Sequence, residues 1–268
     1  MEKLENIIKR KENEPAPPAT LCKRCGQEAK PKFVTIIGWR QQEYCEPCAE
    51  IVRKEQELKE RERQKTEKIS KFLEISGVTR GRLCRMTFDS FEKRHQGKAF
   101  ETAKKYAEEF SPATKSGLFF YSKAGAGKTH LAVSIARHLI EQKQIAASFI
   151  RVVDLFLNIR QTYNADESYR TESEMGLLRK YTTTPLLILD DLGAEKTSEW
   201  VRQILYQIID SRWIDEKPFI ITSNLTLQEL AIRFDDRISS RIAGACEVFE
   251  VRSHDYRVEN KGSNAYNA

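Results

Sequence analysis

The sequence predicts an α/β protein, a parallel sheet covered by helices on both faces, preceded by a small module held by a metal ion. Three observations predict it. Five short apolar runs alternate with helical patterns between residues 98 and 251, the arrangement that places parallel strands under crossover helices. A glycine-rich loop ending in lysine and threonine lies between the first of those runs and the helical pattern after it. Two C-x-x-C pairs stand near the N-terminus, apart from both features.

Taken in order, Met1 to Asn13 has the pattern of a short charged helix, which Glu14-Pro-Ala-Pro-Pro18 stops, because prolines lack amide donors and force extended backbone. Phe33 to Trp39 is β-branched and aromatic and reads as one strand of a small hairpin. From Ala49 to about Ser76 the chain is dense in Glu, Lys, Arg and Gln, an exposed helix supported by charge pairs one turn apart. The strands expected next are Gly117–Tyr121, Ala147–Val152, Leu186–Leu189, Phe219–Thr222 and Val248–Val251. Helices are expected at Lys98–Phe110, Thr129–Glu141, Asp154–Tyr163, Glu199–Trp213 and Leu227–Ala243. The expected domains are 1–50 for the metal module, 51–77 for a charged helical linker, 78–257 for the sheet domain and 258–268 for a polar tail.

Composition bounds the possibilities. With 268 residues, 40% of them hydrophobic and 31% charged, the chain carries enough apolar material for one ordinary core plus a smaller module. No apolar run approaches the roughly 18 residues that span a bilayer, and Met1–Lys11 mixes acids and bases unlike a secretion signal. The expected location is therefore cytoplasmic, with no membrane partner. A formal charge of +6 is compatible with phosphate-bearing partners without selecting them.

Of six cysteines, Cys22, Cys25, Cys45 and Cys48 form the two pairs, with 19 residues between them. This is the spacing of a four-cysteine zinc ribbon. Four thiolates close the coordination sphere, so the ion (Zn2+) is structural. Cys84 and Cys246 stand alone and read as packing residues.

Ser122-Lys-Ala-Gly-Ala-Gly-Lys-Thr129 follows an apolar strand and opens a helix, the setting a P-loop requires. The candidate nucleotide-binding residues are Ser122, Lys123, Ala124, Gly125, Ala126, Gly127, Lys128, Thr129 and His130. Glycines let amides approach phosphates, the helix start and Lys128 supply positive charge, and the Thr129 hydroxyl is a magnesium ligand. The pattern normally begins with glycine, and here Ser122 takes that place. Leu186-Leu-Ile-Leu-Asp-Asp191 brings two carboxylates to the end of a strand. Asp190 would hold Mg2+ and Asp191 would orient the attacking water. Phe219-Ile-Ile-Thr-Ser-Asn224 ends in polar residues, of which Asn224 is placed to sense the γ-phosphate.

The order and spelling of these segments resemble the AAA+ helicase-loader family of the DnaC, DnaI and IstB-like ATPases. The likeness covers residues 78 to 257 through Thr87-Phe-Asp-Ser-Phe91, the P-loop with His130-Leu-Ala, Asp190-Asp-Leu-Gly193, Glu199-Trp-Val, Ile221-Thr-Ser-Asn224, Ser240-Arg241-Ile and Asp255-Tyr-Arg257. The resemblance implies an AAA+ fold with a five-stranded parallel sheet and no C-terminal helical lid, binding ATP or ADP. It implies sites completed between neighbouring subunits, Asn224 as sensor, and Arg241 as the finger inserted toward a neighbour, with Arg237 in reserve. Hydrolysis is then expected to be weak in the monomer and stimulated on assembly.

By the same resemblance the N-terminal domain grips a replicative hexameric DNA helicase, on which the chain assembles or forms a homo-oligomer. Arg151, Arg160, Tyr163, Arg170, Arg179 and Lys180 lie where the family lines a channel for single-stranded DNA. Whether Arg24, Lys30, Lys32, Arg40 and Trp39 of the zinc module meet protein or nucleic acid stays open at this stage. The expected function is ATP-dependent helicase loading in replication initiation. The alternatives are an IstB-like transposition regulator and a zinc-dependent DNA-binding protein with a structural nucleotide.

Overall fold

The structure, a computed structural model, describes residues 14–35, 37–92, 97–164 and 174–251, with the backbone alone at 163 and 164. The expected helix Met1–Asn13, the side chain of Tyr163, Arg170, and the segment 252–268 with its Asp255-Tyr-Arg257 lie outside the described residues. By internal packing the chain divides into two units, Met1–Glu67 and Lys68–Ala268.

In the first unit, β1 (Thr20–Leu21) pairs antiparallel with β2 (Glu28–Ala29), and β3 (Lys32–Val34) with β4 (Gly38–Arg40). The run Phe33–Trp39 thus supplies both strands of a hairpin rather than one. Phe33 and Trp39 sit opposite each other with ring centroids 5.4 Å apart, a cross-strand aromatic pair that sets the register. Helix α1 (Glu46–Ser76) starts three residues before the expected Ala49, so Cys48 lies in its first turn. The buried core of this unit is Cys22, Ala29, Cys45 and Cys48, with Tyr44 packed against it. Three thiols and a methyl group are too little apolar surface to offset the chain entropy of folding, and the four cysteines of this unit could hold a metal ion that would add to it.

The second unit is organised by a five-stranded, all-parallel sheet of β5 (Gly117–Tyr121), β6 (Ala147–Arg151), β7 (Leu186–Leu192), β8 (Phe219–Ser223) and β9 (Cys246–Glu250). The strand order is β6-β7-β8-β5-β9. Strand alternation sends Leu118, Phe120, Leu186, Ile188 and Ile220 to one face and Phe119, Leu187, Leu189, Phe219 and Ile221 to the other. The first face packs on α2 (Lys98–Glu109) and α3 (Lys128–Lys143), joined by Ile69, Phe72 and Leu73 from the end of α1. The second packs on α4 (Val152–Asn164), α5 (Glu174–Thr183), α6 (Glu199–Ile214) and α8 (Asp236–Ala245). After β5 the chain crosses to β6 at the far edge, and β9 returns to the other side of β5. The carboxyl ends of β5 and β8 are therefore the switch point at which open parallel sheets bind ligands.

Two helical segments differ from expectation. Leu227–Ala243 is not one helix but α7 (Leu227–Arg233) and α8. The break has a local cause: the Asp235 side chain accepts the Arg237 amide at 2.7 Å and starts a new helix, a hydrogen bond that competes with helix continuation. Helix α5, with Leu177, Leu178 and Tyr181 buried, was not foreseen. Among the described residues, no helix is long and apolar enough to cross a membrane.

Arg212, on α6, is fully buried and ties the underside of the sheet together. Its Nη1 donates to the carbonyls of Tyr181 and Thr184 at 2.8 and 3.0 Å, and its Nη2 to that of Pro218 at 2.6 Å. These close the loops that enter β7 and β8. Burial lowers its pKa to about 10, yet it keeps its charge at neutral pH. Arg212→Ala strands these carbonyls and is expected to cost at least about 3 kcal/mol. At roughly 2–4 °C per kcal/mol for a domain of this size, thermal unfolding should shift down by about 6–12 °C.

Candidate functional site

The ends of β5, β7 and β8 converge on one polar cluster. After Tyr121 the loop 122–127 turns back, with the Ser122 amide bonded to the Ser223 carbonyl at 3.2 Å. Gly125 and Gly127 have φ of 84° and 93°, values that favour glycine. A Cβ on Gly127 would stand 2.9 Å from the Phe91 ring. Ser122 is not among the positive-φ residues, so a side chain at the first loop position is sterically acceptable. Lys128, nearly buried, donates from Nζ to the Ser122 carbonyl at 2.8 Å, the Lys123 carbonyl at 3.0 Å and Asn224 Oδ1 at 2.9 Å. The loop thus arches over its own lysine at the start of α3.

Asp190 is the centre of the cluster. It is 4% exposed, and its Oδ1 accepts from the Thr129 hydroxyl at 2.8 Å and the Thr222 hydroxyl at 2.7 Å. Burial pushes its pKa up, and the two hydroxyls pull part of the way back. Thr222 also accepts the Asp191 amide at 2.9 Å, which links β8 to the acidic end of β7. Asp191 itself has φ 59°, and the β7–β8 register shifts between Leu189 and Leu192. This distortion turns the Asp191 carboxylate toward the Asn224 amide, which donates to it at 3.1 Å. Asn224 therefore bridges Lys128 and Asp191.

The site residues predicted from sequence are not all in this cluster. Lys128, Thr129, Asp190, Asp191 and Asn224 are brought together, with Ser122 and Lys123 on the lysine. Ala126 is packed into the core and Ala124 is exposed. The His130 imidazole is turned to the segment 87–91, bonding the Thr87 carbonyl at 2.8 Å and Ser90 Oγ at 3.1 Å with Phe91 edge-on. Burial holds its pKa below the usual value. Arg241 lies on α8, where Nε donates to Asp210 at 2.7 Å and the guanidinium stacks 3.9 Å from the Trp213 ring centroid. Arg237 pairs with Asp235 at 2.9 Å and lies over Tyr206. Sequence reasoning missed Thr222, Phe91 as the wall behind Gly127, and the Asp210–Trp213 seat of Arg241. Only Thr222 had a signal, as a hydroxyl near the end of the strand that carries Asn224.

Of the cations proposed for single-stranded DNA, Arg151 pairs with Asp154 at 2.7 Å and Arg160 stacks on Trp200 at 5.0 Å. Arg179 and Lys180 lie on α5.

The second cluster is the four cysteines. The Sγ atoms of Cys22, Cys25, Cys45 and Cys48 all lie within 4.8 Å of one another, and those of Cys25 and Cys45 are 3.5 Å apart. A tetrahedral zinc with bonds near 2.3 Å spaces its sulfurs by about 3.8 Å, so these donors fit that ion. Two backbone turns shape the site: Gly26 N to the Cys22 carbonyl at 2.9 Å, and Ala49 N to the Cys45 carbonyl at 2.8 Å. Burial would raise the Cys22 thiol, but the amides of Cys25, Cys45 and Arg24 outweigh it and hold the pKa at about 6. Cys45 and Cys25 beside it push Cys48 up to about 12, the crowding a divalent cation relieves. Cys246 is buried at the start of β9, as a packing residue should be, whereas Cys84 is exposed on a 3-10 turn, correcting that expectation.

A family model described as IstB-like ATP binding protein matches residues 54–264. The replicative helicase loader DnaC of Buchnera aphidicola is 28% identical over 218 residues, 80% of this chain and 82% of that protein. The crystal structure of the DnaC helicase loader aligns with a TM-score of 0.55 at 28% identity, over 63% of this chain and 97% of that one. The crystal structure of DnaI gives a TM-score of 0.53 at 25% identity, over 64% and 90%.

Two outcomes are expected from these geometries. Because Asp190 is raised by burial, its ionised form opposes folding; the stability it lends is present at acid pH and lost as pH rises through its folded-state pKa. Asp190→Asn should therefore raise the melting temperature at neutral pH and lose that advantage at acid pH, read by thermal unfolding across pH. Elemental analysis of the purified chain should find a single zinc, and Cys22→Ser should lose it with unfolding confined to the first unit.

Proposed function

The chain belongs to the IstB-like ATP-binding protein family, and on that footing we propose that it is a magnesium-dependent ATPase that loads a replicative hexameric DNA helicase onto single-stranded DNA during replication initiation. The observation that carries the ATPase reading is the bridge of Asn224 between Lys128 and Asp191, beside an Asp190 that holds the Thr129 hydroxyl. A lysine, a metal-binding pair, a carboxylate for water and a sensing amide then share one edge of the sheet. The loader reading is supported by the Buchnera and DnaC relatives, which are helicase loaders by name.

Each residue has a proposed task. The amides of 123–129 and Lys128 bind the phosphates, with Lys128 exchanging its contacts to Ser122 and Lys123 for phosphate oxygens. Thr129 and Asp190 would hold magnesium, which would supply charge neutralisation at the transferring phosphoryl group. Asp191 orients the attacking water, and Asn224 fixes Asp191 and reports on the γ-phosphate. Arg241, with Arg237 as the alternative, completes the site of a neighbouring subunit, so turnover is weak until subunits assemble on one another or on the helicase. Arg151, Arg160, Arg179 and Lys180 contact single-stranded DNA, with Trp200 beside Arg160 offering a stacking surface. Residues 1–50 with zinc on Cys22, Cys25, Cys45 and Cys48 grip the helicase, 51–77 link, and 78–257 form the ATPase.

Steady-state ATP turnover tests the mechanism. Lys128→Ala should lose nucleotide binding, whereas Arg241→Ala should bind ATP normally and turn it over at least about 10³-fold more slowly. Mixing the two variants should restore part of the rate, since an intact arginine then meets an intact loop. Equal rates in the parent chain and both variants would remove the mechanism. Oligonucleotide affinity should fall with rising salt, and helicase capture should require the four cysteines; capture of a transposase instead would redirect the assignment.

A further inference from the structure

The turn after β7 contains a carboxylate that the scheme above does not use. Glu195 is 7% exposed. Both of its carboxylate oxygens lie within hydrogen-bond reach of the Gly193 amide, at 3.3 and 3.2 Å. Its carbonyl accepts Arg233 Nη2, from the last turn of α7, at 2.7 Å. The turn it closes begins at Asp191, whose carbonyl accepts the Ala194 amide at 3.3 Å.

This turn is pressed against the loop that carries Asn224. Gly193 has φ 102°, and a Cβ there would stand 2.7 Å from Leu225 Cδ1. The Ser223 hydroxyl donates to the Leu192 carbonyl at 2.6 Å and accepts the Leu225 amide at 3.0 Å. Asp191 at φ 59° occupies a conformation costing on the order of 1–3 kcal/mol for a residue with a side chain, and it persists only where the surroundings over-determine it. On one side the constraint is Thr222 on the Asp191 amide. On the other it is the closed turn, ending at Glu195. Burying a carboxylate is costly.

We propose that Glu195 is a positioning residue for hydrolysis: by closing the turn onto Gly193, and by its anchor to Arg233, it holds Asp191 in the left-handed conformation that keeps its carboxylate on Asn224. The inference rests on the role given to Asp191 under the proposed function. The Glu195 carboxylate bonds the turn, and its backbone carbonyl bonds α7; neither touches the phosphate loop, so loss of the side chain acts on turnover and leaves nucleotide affinity alone.

The test is ATP turnover by the full, zinc-loaded chain with and without a single-stranded oligonucleotide, beside the dissociation constant for a non-hydrolysable ATP analogue. Glu195→Ala should lower kcat roughly tenfold or more, with KM and analogue affinity within about twofold. Glu195→Gln, which keeps an acceptor for Gly193, should retain most of the parent kcat. Arg233→Ala, at an exposed position, should reproduce the kcat loss in weaker form. A parent-like kcat in folded Glu195→Ala, or in Arg233→Ala should the first variant not fold, overturns the proposal. So does a kcat loss matched by an equal loss of analogue affinity. If the parent chain and Lys128→Ala are equally inactive, the ATPase reading itself has failed and the proposal falls with it; an active parent with unaffected Glu195 variants sinks only the proposal.

Discussion

A carboxylate buried at the edge of a parallel sheet, with two hydroxyls on a single oxygen, is the constraint from which the rest of the site follows. Asp190 reaches that position because β7 runs apolar from Leu186 to Leu189 and is buried on both faces, leaving its first polar residue where the core ends. The hydroxyls come from different elements, Thr129 from α3 and Thr222 from β8. Ionised, such a group is stable only beside a cation or several donors. The fold supplies two such donors in Thr129 and Thr222.

The same logic extends outward from Asp190. Thr222 uses its donor on Asp190 and its acceptor on the Asp191 amide, so one hydroxyl sets both acids. The register shift at the end of β7 then turns consecutive carboxylates to different tasks, one inward to the threonines and one outward to Asn224. In a regular strand, neighbouring side chains would point to opposite faces of the sheet; the left-handed Asp191 keeps both at its edge.

Much of this was legible in the sequence, and the limits have physical reasons. All five sheet strands and the loop from Ser122 to Thr129 could be read because apolar runs of strand length and glycine spacing are local signals. The four cysteines were equally plain, since metal spacing survives without knowledge of the fold. Helix α5 was missed because its apolar residues, Leu177, Leu178 and Tyr181, cover barely two turns, too short for a periodicity to stand out. The break at Asp235 was missed because the apolar pattern runs on from Leu230 through Phe234 and Ile238, while capping by one aspartate decides the conformation. Arg212 and Glu195 could not have been read at all: nothing marks a charged residue as buried until the carbonyls or the turn around it are in place.

Arg241 shows how a residue's seat constrains its work. Its guanidinium is shared between a hydrogen bond to Asp210 and the face of Trp213, two contacts that limit its rotamers and fix it on α8 against α6. An exposed, unconstrained arginine would lose several rotamers' worth of entropy on meeting a neighbour's phosphate; one already held loses less, and its planar head retains donors beyond the Nε used on Asp210. Asp210 also lowers the local positive charge, which weakens attraction to stray anions. Under the proposed function, such a seat would favour a phosphate presented in a fixed geometry by a neighbouring subunit over free nucleotide.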